Sequence, residues 1–253
     1  MNSKQAEPLA LDTQAAVDTR ARNLGLQAGD PWVGGYVDYR WKHSRPILEA
    51  MGLRHEGMRV LEFGCNVGAS AILFARLGAV VSAVDVSADW IGLARLNADL
   101  HGVGDIDFVH VDDTRAPPFA DAQFDLLTCN GVLEYVDDDQ RAAVQREIDR
   151  VLKPGGMILL TGSSNRLWPR ETHSGLWPVN YLPRALDRLW RKPLQRGLWP
   201  WVARHGYGRH YDNLDTARAG DFFARSRKAM GAPPCLLAAL LWVAARLRVG
   251  WAY

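Results

Sequence analysis

The stretch VLEFGCNVGAS, residues 60–70, is the feature that most restricts what this chain can fold into. Its apolar start predicts a buried strand, its glycines predict a tight turn, and the continuation VGASAILFARLG predicts a helix. Such a strand, glycine turn and helix usually form a nucleotide-type binding site. Where the dinucleotide fingerprint G-x-G-x-x-G/A has its second glycine, however, this chain carries Asn66.

Strand and helix patterns continue to alternate after this turn. Further strands are predicted at AVVSAVDVS, IDFVHVD, FDLLTCNG and MILLTGS. Ser87 is placed to cap the helix ADWIGLARLNADLHG, and KPGG is expected to end the amphipathic helix DDDQRAAVQREIDRVL. The pattern predicts an α/β fold, with a Rossmann-like, doubly wound, mainly parallel sheet and helices on both faces. Ligands of such sheets bind beyond the carboxyl ends of the strands.

Cysteine spacing and apolar runs exclude several other classes of protein. The three cysteines form neither a CxxC pair nor a zinc-ligand spacing, so we expect no metal site and a reducing, cytoplasmic location. The N-terminus lacks the apolar core of a signal peptide. The longest apolar run, CLLAALLWVAA, is too short to span a bilayer.

The glycine turn and the acidic residues near it indicate the type of ligand. Asn66 replaces the glycine that lets the backbone approach a pyrophosphate, and no P-loop sequence is present. Glu62 ends the first strand and could pair with an ammonium group. Asp85 ends the second strand, where a carboxylate often binds a ribose diol, and Asp113 follows the third, where it could accept from an adenine amine. S-adenosylmethionine combines these groups without phosphate.

Four motifs in order resemble those of the class I S-adenosylmethionine-dependent methyltransferases, with type 11-like small-molecule enzymes as the nearest group. They are VLEFGCNVGA, VSAVDVS, VDDTRAPPFADAQFDLLTCNGVLEYV and LKPGGMILLTG, which together cover about residues 58–162. The resemblance implies S-adenosyl-L-methionine as the cofactor. It implies that the methionine side is lined by Glu62, Gly64, Cys65, Asn66 and Gly68. It also implies that Asp85 and Val86 hold the ribose, that Asp112 and Asp113 hold the adenine edge, and that Asn130 faces the methyl donor.

The chain departs from the resemblance at two positions. Asn66 replaces a common glycine, and Tyr135 stands where many relatives carry histidine, so no catalytic role transfers to that position. The family's sheet usually ends with two further strands, and only RVGWAY suggests one of them. We expect a cap to replace that edge, or the last strand to be cut short.

Charge and tryptophan content divide the chain. Residues 1–162 contain 15 basic and 23 acidic residues, whereas residues 163–253 contain 15 basic and 5 acidic residues and seven of the ten tryptophans. We predict a lid segment at 1–45, whose first 30 residues are partly loose, a cofactor-binding core at 46–162, and a helical cap on the acceptor side at 163–253.

We expect the segment after the fifth strand to supply a general base for methyl transfer. A hydroxyl acceptor gains from proton removal, most often by histidine. We hypothesise that His173 is this base and that Glu171 orients it; the alternative is a histidine that only packs the cap. The predicted reaction is methyl transfer to a small-molecule, glycan or lipid-like acceptor, most often at oxygen. The alternatives are C-methylation of a quinone-like acceptor and a non-catalytic binding module.

The basic, tryptophan-rich part raises the question of partners. Cationic segments with tryptophan often lie at membrane surfaces, so the protein could contact the inner membrane peripherally. The simpler alternative is that these segments pack on one another, with arginines reaching outward, and we favour it. No RNA-binding module is visible, so nucleic acid is not expected. Tyr36, Tyr39 and His43 are either lid residues or core packing, and the sequence does not define an oligomeric state.

Overall fold

A computed structural model of the protein describes 7–26, 35–161 and 233–247 as continuous segments. Between them it describes 166, 171, 174–190, 194, 196–199, 202, 210–212, 214, 224 and 228. The chain divides into two compact units. Unit 1 comprises Met1–Thr128 and Glu147–Ile158, and unit 2 comprises Cys129–Arg146 and Leu159–Tyr253.

Helices and strands alternate along the first 161 residues. In chain order the elements are α1 Glu7–Asn23, α2 Gly35–Met51, β1 Arg59–Phe63, α3 Ala69–Arg76, β2 Val80–Asp85, α4 Ala88–Leu100, β3 Asp107–His110, β4 Phe124–Asn130, α5 Asp138–Val151 and β5 Leu152–Thr161. Two short 3₁₀ helices, Val179–Tyr181 and Arg184–Leu189, and helix α6, Pro234–Leu247, are described beyond them.

The five strands form a parallel sheet in the order β3-β2-β1-β4-β5, flanked by helices. Phe63 pairs with Val84 between β1 and β2, and Asp85 pairs with His110 between β2 and β3, so the carboxyl ends of these strands lie at one edge. Strand β1 is buried from Val60 to Phe63, as expected for a strand covered on both faces. The predicted Rossmann-like fold is confirmed.

The N-terminal segment contains a helix that the sequence analysis did not predict, formed by residues 7–23. Helix α1 packs against α4, and Arg20 Nη2 lies 2.6 Å from Asp89 Oδ1. Val17 and Ala21, one helical turn apart, are fully buried. This apolar stripe is too short to stand out from the polar residues around it, which explains why the sequence pattern missed the helix.

The two predicted helix ends behave differently. Ser87 caps α4 as predicted, since its hydroxyl accepts a hydrogen bond from the Trp90 N–H at 3.3 Å. Helix α5 ends at Val151 and β5 begins at once at Leu152, so KPGG lies within the strand instead of preceding it. Gly155, with φ of 78°, provides the left-handed backbone in this stretch.

Much of the segment predicted as a helical cap, including RVGWAY, lies outside the described residues. Its described parts are the two 3₁₀ helices, α6 and short irregular pieces. Its role as a cap stays a prediction. No helix among the described residues is long and apolar enough to cross a bilayer.

Candidate cofactor site

The glycine turn after β1 uses its own backbone N–H groups internally. Gly64 and Cys65 both donate to the Val84 carbonyl at 2.9 Å, and Gly68 donates to the Cys65 carbonyl at 2.7 Å. The Asn66 N–H donates to Asp85 Oδ2 at 2.8 Å, and the Val67 N–H donates to Asn66 Oδ1 at 2.7 Å. Phosphate-binding turns present free N–H groups to their ligand. With these five N–H groups occupied, the turn is poorly suited to a pyrophosphate.

Asn66 holds the turn in shape through an unusual backbone conformation. Its φ is 48°, in the left-handed region that asparagine tolerates better than most residues. Asn97, fully buried on α4, supports the next residue by donating from Nδ2 to the Val67 carbonyl at 2.8 Å. The side chain and the backbone conformation of Asn66 therefore both hold the tight turn that the sequence predicts after β1.

Asp85 connects the turn to the start of α4. One carboxylate oxygen accepts from Asn66 N–H, and the other accepts from Ser87 N–H at 3.0 Å. These two hydrogen bonds fix the carboxylate at the carboxyl end of β2. Each oxygen can accept more than one hydrogen bond, so both can still take a ribose hydroxyl.

Glu62 lies below the turn and is only 3% exposed. Its Oε2 accepts from the Ala71 N–H at 2.7 Å, near the N-terminus of α3. Burial raises the pKa of Glu62 to about 7, against the opposing effects of the Ala71 N–H, the Ser70 side chain and Arg40. A ligand ammonium beside Glu62 would favour its ionised form.

Helix α2 brings a residue to Glu62 that the sequence reasoning missed. Arg40 is 6% exposed and lowers the pKa of Glu62, so its guanidinium acts on that carboxylate. It also makes a side-chain hydrogen bond with Tyr36, whose pKa is raised by burial. A buried carboxylate and a buried guanidinium suit the ammonium and carboxylate of a free amino acid group. The available signal was a charge on the buried face of α2, in register with Val37 and Ser44.

The predicted adenine edge is open to solvent. Val86 is exposed, and its carbonyl lies 3.1 Å from His110 Nε2. The Asp112 side chain is almost wholly exposed and lies 3.9 Å from the same histidine. Asp113 pairs instead with Arg115 at 2.8 Å, and the hydrogen bonds from Arg115 lower its pKa. Asp113 is therefore engaged in an ion pair with Arg115, whereas Asp112 remains more accessible to a ligand.

Cys65 and Gly68 contribute through the backbone. Burial raises the pKa of the Cys65 thiol, and this side chain packs into the core. Gly68 has a φ of 73°, and a Cβ there would lie 3.1 Å from Ala94 Cβ and from two atoms of the Phe108 ring. The turn therefore sits so close to α4 and β3 that a Cβ would fit only if Ala94 or Phe108 moved slightly.

Unit 2 contains the remaining predicted residues. Asn130 Oδ1 accepts from the Thr161 hydroxyl, and the Gly131 N–H donates to the Thr161 carbonyl at 3.0 Å. Glu171 is fully buried, and one of its carboxylate oxygens accepts from the Ser174 N–H. His173 lies outside the described residues.

Tyr135 of unit 2 lies close enough to Glu134 and Glu171 to feel the charge of both. Tyr135 is 58% exposed, and its pKa is raised by burial first and then by Glu134 and Glu171. A phenol with a raised pKa keeps its proton at neutral pH, so Tyr135 is a hydrogen-bond donor and not a base. No group of three or more potential metal ligands occurs among the described residues.

The groups of unit 1 fit S-adenosylmethionine on the geometry alone. Glu62 and Arg40 match the charged ends of its amino acid part, Asp85 matches its ribose diol, and the occupied turn argues against phosphate. The predicted methionine and ribose sites lie along one turn, because the Asn66 N–H joins that turn to Asp85. The sequence prediction and the structure therefore lead to the same edge of the sheet.

Comparison with known proteins is consistent with this geometry. The family described as "Methyltransferase domain" matches residues 61–160. An Erwinia tasmaniensis protein named ubiquinone biosynthesis O-methyltransferase is 31% identical over 167 residues, covering 62% of this chain and 67% of that protein. The chain belongs to the class I S-adenosylmethionine-dependent methyltransferases. Its cofactor is accordingly S-adenosyl-L-methionine, as predicted.

Two other relatives show how far the similarity reaches. A Paracidovorax citrulli protein, also named ubiquinone biosynthesis O-methyltransferase, is 35% identical over 136 residues, which are 49% of this methyltransferase and 56% of that protein. A Bacillus halodurans crystal structure described as a methyltransferase has a TM-score of 0.52 at 22% identity, covering 65% of this chain and 66% of that one. The latter likeness concerns the fold alone. The chain spans between about half and two thirds of the two curated relatives.

Proposed function

We propose that this methyltransferase transfers a methyl group from S-adenosylmethionine to a hydroxyl oxygen of a small, quinone-like or phenolic acceptor. The donor half rests on one observation above all: Asp85 is fixed by two backbone N–H groups at the end of β2, beside a turn with no N–H to offer a phosphate. The acceptor half rests on the similarity to proteins named ubiquinone biosynthesis O-methyltransferase.

When bound, S-adenosylmethionine would supply an activated methyl group, since the bond from the methyl carbon to sulfur breaks as the bond to the acceptor forms and S-adenosylhomocysteine is the leaving group. The work of the protein is then to hold the donor and to bring an acceptor oxygen into line with the methyl carbon. Glu62 and Arg40 hold the charged end of the methionine, and Asp85 holds the ribose. The hydroxyl proton leaves to a base as the new carbon–oxygen bond forms.

We assign the base to His173, with Glu171 as the group that orients it. Support comes from Glu171, a fully buried carboxylate tied to the Ser174 N–H, which can accept from a histidine nearby in sequence. His173→Ala should lower kcat about 100-fold and leave donor affinity unchanged, with His210→Ala as a control in the same unit. Wild-type kcat in His173→Ala would remove this role.

The acceptor proposal is tested by product analysis. The protein is incubated with isotope-labelled S-adenosylmethionine and a catechol or hydroquinone that carries an aliphatic chain. The product is then characterised by mass spectrometry and carbon NMR. A labelled methoxy carbon is the expected result. A methyl group on a ring carbon would favour the C-methyltransferase alternative, whereas donor binding without turnover on any acceptor of this class would favour a binding module.

A further inference from the structure

One face of helix α2 carries three ring side chains that contact one another. The Tyr36 and Tyr39 rings are stacked, with centroids 5.4 Å apart and planes 14° from parallel. The His43 ring lies against Tyr39, at a centroid distance of 4.3 Å and an interplanar angle of 58°. Spacings of three and four residues place these side chains on the same side of the helix. We call Tyr36, Tyr39 and His43 the α2 ring row, in which Tyr39 contacts both of the others.

The ring row begins beside the candidate cofactor site. Arg40 makes a side-chain hydrogen bond with Tyr36 and also acts on the buried carboxylate of Glu62. Burial is the main cause of the raised pKa of Tyr36, and the charge of Glu62 contributes to the rise. Glu62 ends β1, whereas the predicted adenine residues follow β3, which lies beyond β2 in the order β3-β2-β1. The row therefore lies on the side of the site that we propose for the methionine, away from the adenine.

The outer part of the ring row is open to solvent. Tyr39 is 45% exposed, so packing in the core does not account for its position. Trp41 lies two residues further on, on a different face of α2, and is 37% exposed. The Arg45 guanidinium lies 5.5 Å from the centre of the Trp41 ring and is itself paired with Glu49 at 2.6 Å. Of these two exposed aromatic side chains, Tyr39 is the one that belongs to the row beginning at the cofactor site.

We propose that the Tyr39 ring stacks against the aromatic ring of the methyl acceptor, which makes the enzyme selective for phenolic over aliphatic hydroxyl acceptors. The contacts with Tyr36 and His43 orient the Tyr39 ring before the acceptor binds, so binding loses little side-chain entropy. Offset-stacked aromatic rings attract each other by more than the area that they bury. This inference rests on the proposed function, deepens its acceptor half and adds Tyr39 as a residue that determines specificity.

The test compares Tyr39→Leu, which keeps apolar bulk without a ring, with Tyr39→Phe, which keeps the ring without the hydroxyl. Each protein is saturated with S-adenosylhomocysteine, and calorimetry measures the binding of a propyl-substituted catechol and of a cyclohexanediol with the same substituent. We expect Tyr39→Leu to weaken catechol binding about fivefold and to leave cyclohexanediol binding unchanged. Tyr39→Phe should bind both diols as the wild type does. Trp41→Leu is the matched control, because it removes an exposed aromatic ring from another face of the same helix.

Several results would overturn the inference. Unchanged catechol affinity in Tyr39→Leu would mean that the acceptor does not touch this ring, and equal losses with both diols would mean that only apolar area matters. The same loss in Tyr39→Phe or Trp41→Leu would also contradict stacking on Tyr39. A weaker affinity of Tyr39→Leu for S-adenosylhomocysteine itself would show that the change acts through the donor site. Thermal unfolding of the ligand-free variants checks that each one folds.

The same measurements separate this inference from the proposed function. If the wild-type complex with S-adenosylhomocysteine binds no catechol, the acceptor half of the proposed function is wrong and the inference falls with it. If the wild type binds the catechol and Tyr39→Leu binds it equally well, only the role of Tyr39 is wrong.

Discussion

The glycine turn of unit 1 is held by carboxylates, whereas several irregular segments of unit 2 are held by arginines. In unit 1, the carboxylates of Glu62 and Asp85 accept hydrogen bonds from backbone N–H groups around the glycine turn. In unit 2, arginines donate to backbone carbonyls. Arg141 donates to two carbonyls after β4, Arg166 to that of Asn180 at 2.8 Å, and Arg196 to that of Leu182.

This difference changes the interpretation of the charge asymmetry. An excess of basic residues in 163–253 suggested a surface for anionic partners, but Arg196 is buried and Arg166 lies 4.9 Å from the centre of the Trp199 ring. These arginines stabilise the fold of unit 2 through contacts within the chain. For Arg166 and Arg196, this favours packing within the protein over contact with a membrane surface. In unit 1, the acidic residues that fix the turn are also the ones that we propose bind the cofactor.

The largest expected effect concerns Glu62 and pH. A carboxylate with a folded pKa of about 7 and an ordinary value of 4.5 binds its proton more tightly in the folded state. Its stabilising contribution is therefore complete below pH 4.5 and is lost as pH rises through 7, by about 3 kcal/mol. Urea unfolding of ligand-free Glu62→Gln should show less loss of stability between pH 5 and 8 than the wild type.

Donor binding should show the opposite pH trend. An ammonium group binds the ionised form of Glu62, so S-adenosylhomocysteine affinity should rise as pH increases through 7. This rise should be absent in Glu62→Gln. If wild type and variant have parallel stability and binding profiles over this range, Glu62 is not the titrating group.

The second expected effect is the loss of donor binding in Asp85→Ala. The variant loses the ribose acceptor and also releases the N–H groups of Asn66 and Ser87. We expect affinity for S-adenosylhomocysteine to fall about 100-fold, or about 2.7 kcal/mol, by calorimetry. Asp105→Ala, an exposed carboxylate in the loop before β3, should bind as the wild type. Equal affinities of the two variants would contradict the ribose assignment.

The geometry of the candidate donor site could be predicted from the sequence because it depends on residues close together along the chain. Strand ends in a parallel sheet converge, so Glu62, Asp85 and the residues near Asp112 come together once the strands are recognised. The left-handed backbone of Asn66 and the cap at Ser87 follow from residue type and position. None of these predictions required knowledge of contacts distant in the chain.

The missed features all depend on contacts between distant segments. Arg40 reaches Glu62 from α2, Arg20 of α1 meets Asp89 on α4, and Asn97 supports the turn from the middle of α4. Such contacts leave little trace in sequence periodicity. The segment after β5 has few periodic patterns of any kind, and its arginine-to-carbonyl hydrogen bonds follow no spacing rule.

A third prediction tests the structural role of arginine in unit 2. Arg196→Met keeps much of the apolar stem but removes the hydrogen bonds to the Leu182 and Pro183 carbonyls and the ion pair with Asp187. We expect a loss of about 2 kcal/mol in thermal unfolding. Arg188→Met, at an exposed position of the same region, should cost less than about 0.5 kcal/mol. Similar losses in both variants would mean that the charge excess is a surface property.

The smallest effect separates backbone conformation from packing in the glycine turn. Gly68 and Gly102 have φ values of 73° and 65°, so alanine at either position carries the cost of a left-handed backbone. A Cβ at Gly68 would also meet Ala94 and Phe108 at 3.1 Å, whereas a Cβ at Gly102 would meet nothing within 4 Å. Gly68→Ala should therefore destabilise the protein by about 1 kcal/mol more than Gly102→Ala in urea unfolding. If the two losses are equal, α3 can shift away from α4 and β3, and close packing does not set the position of the turn.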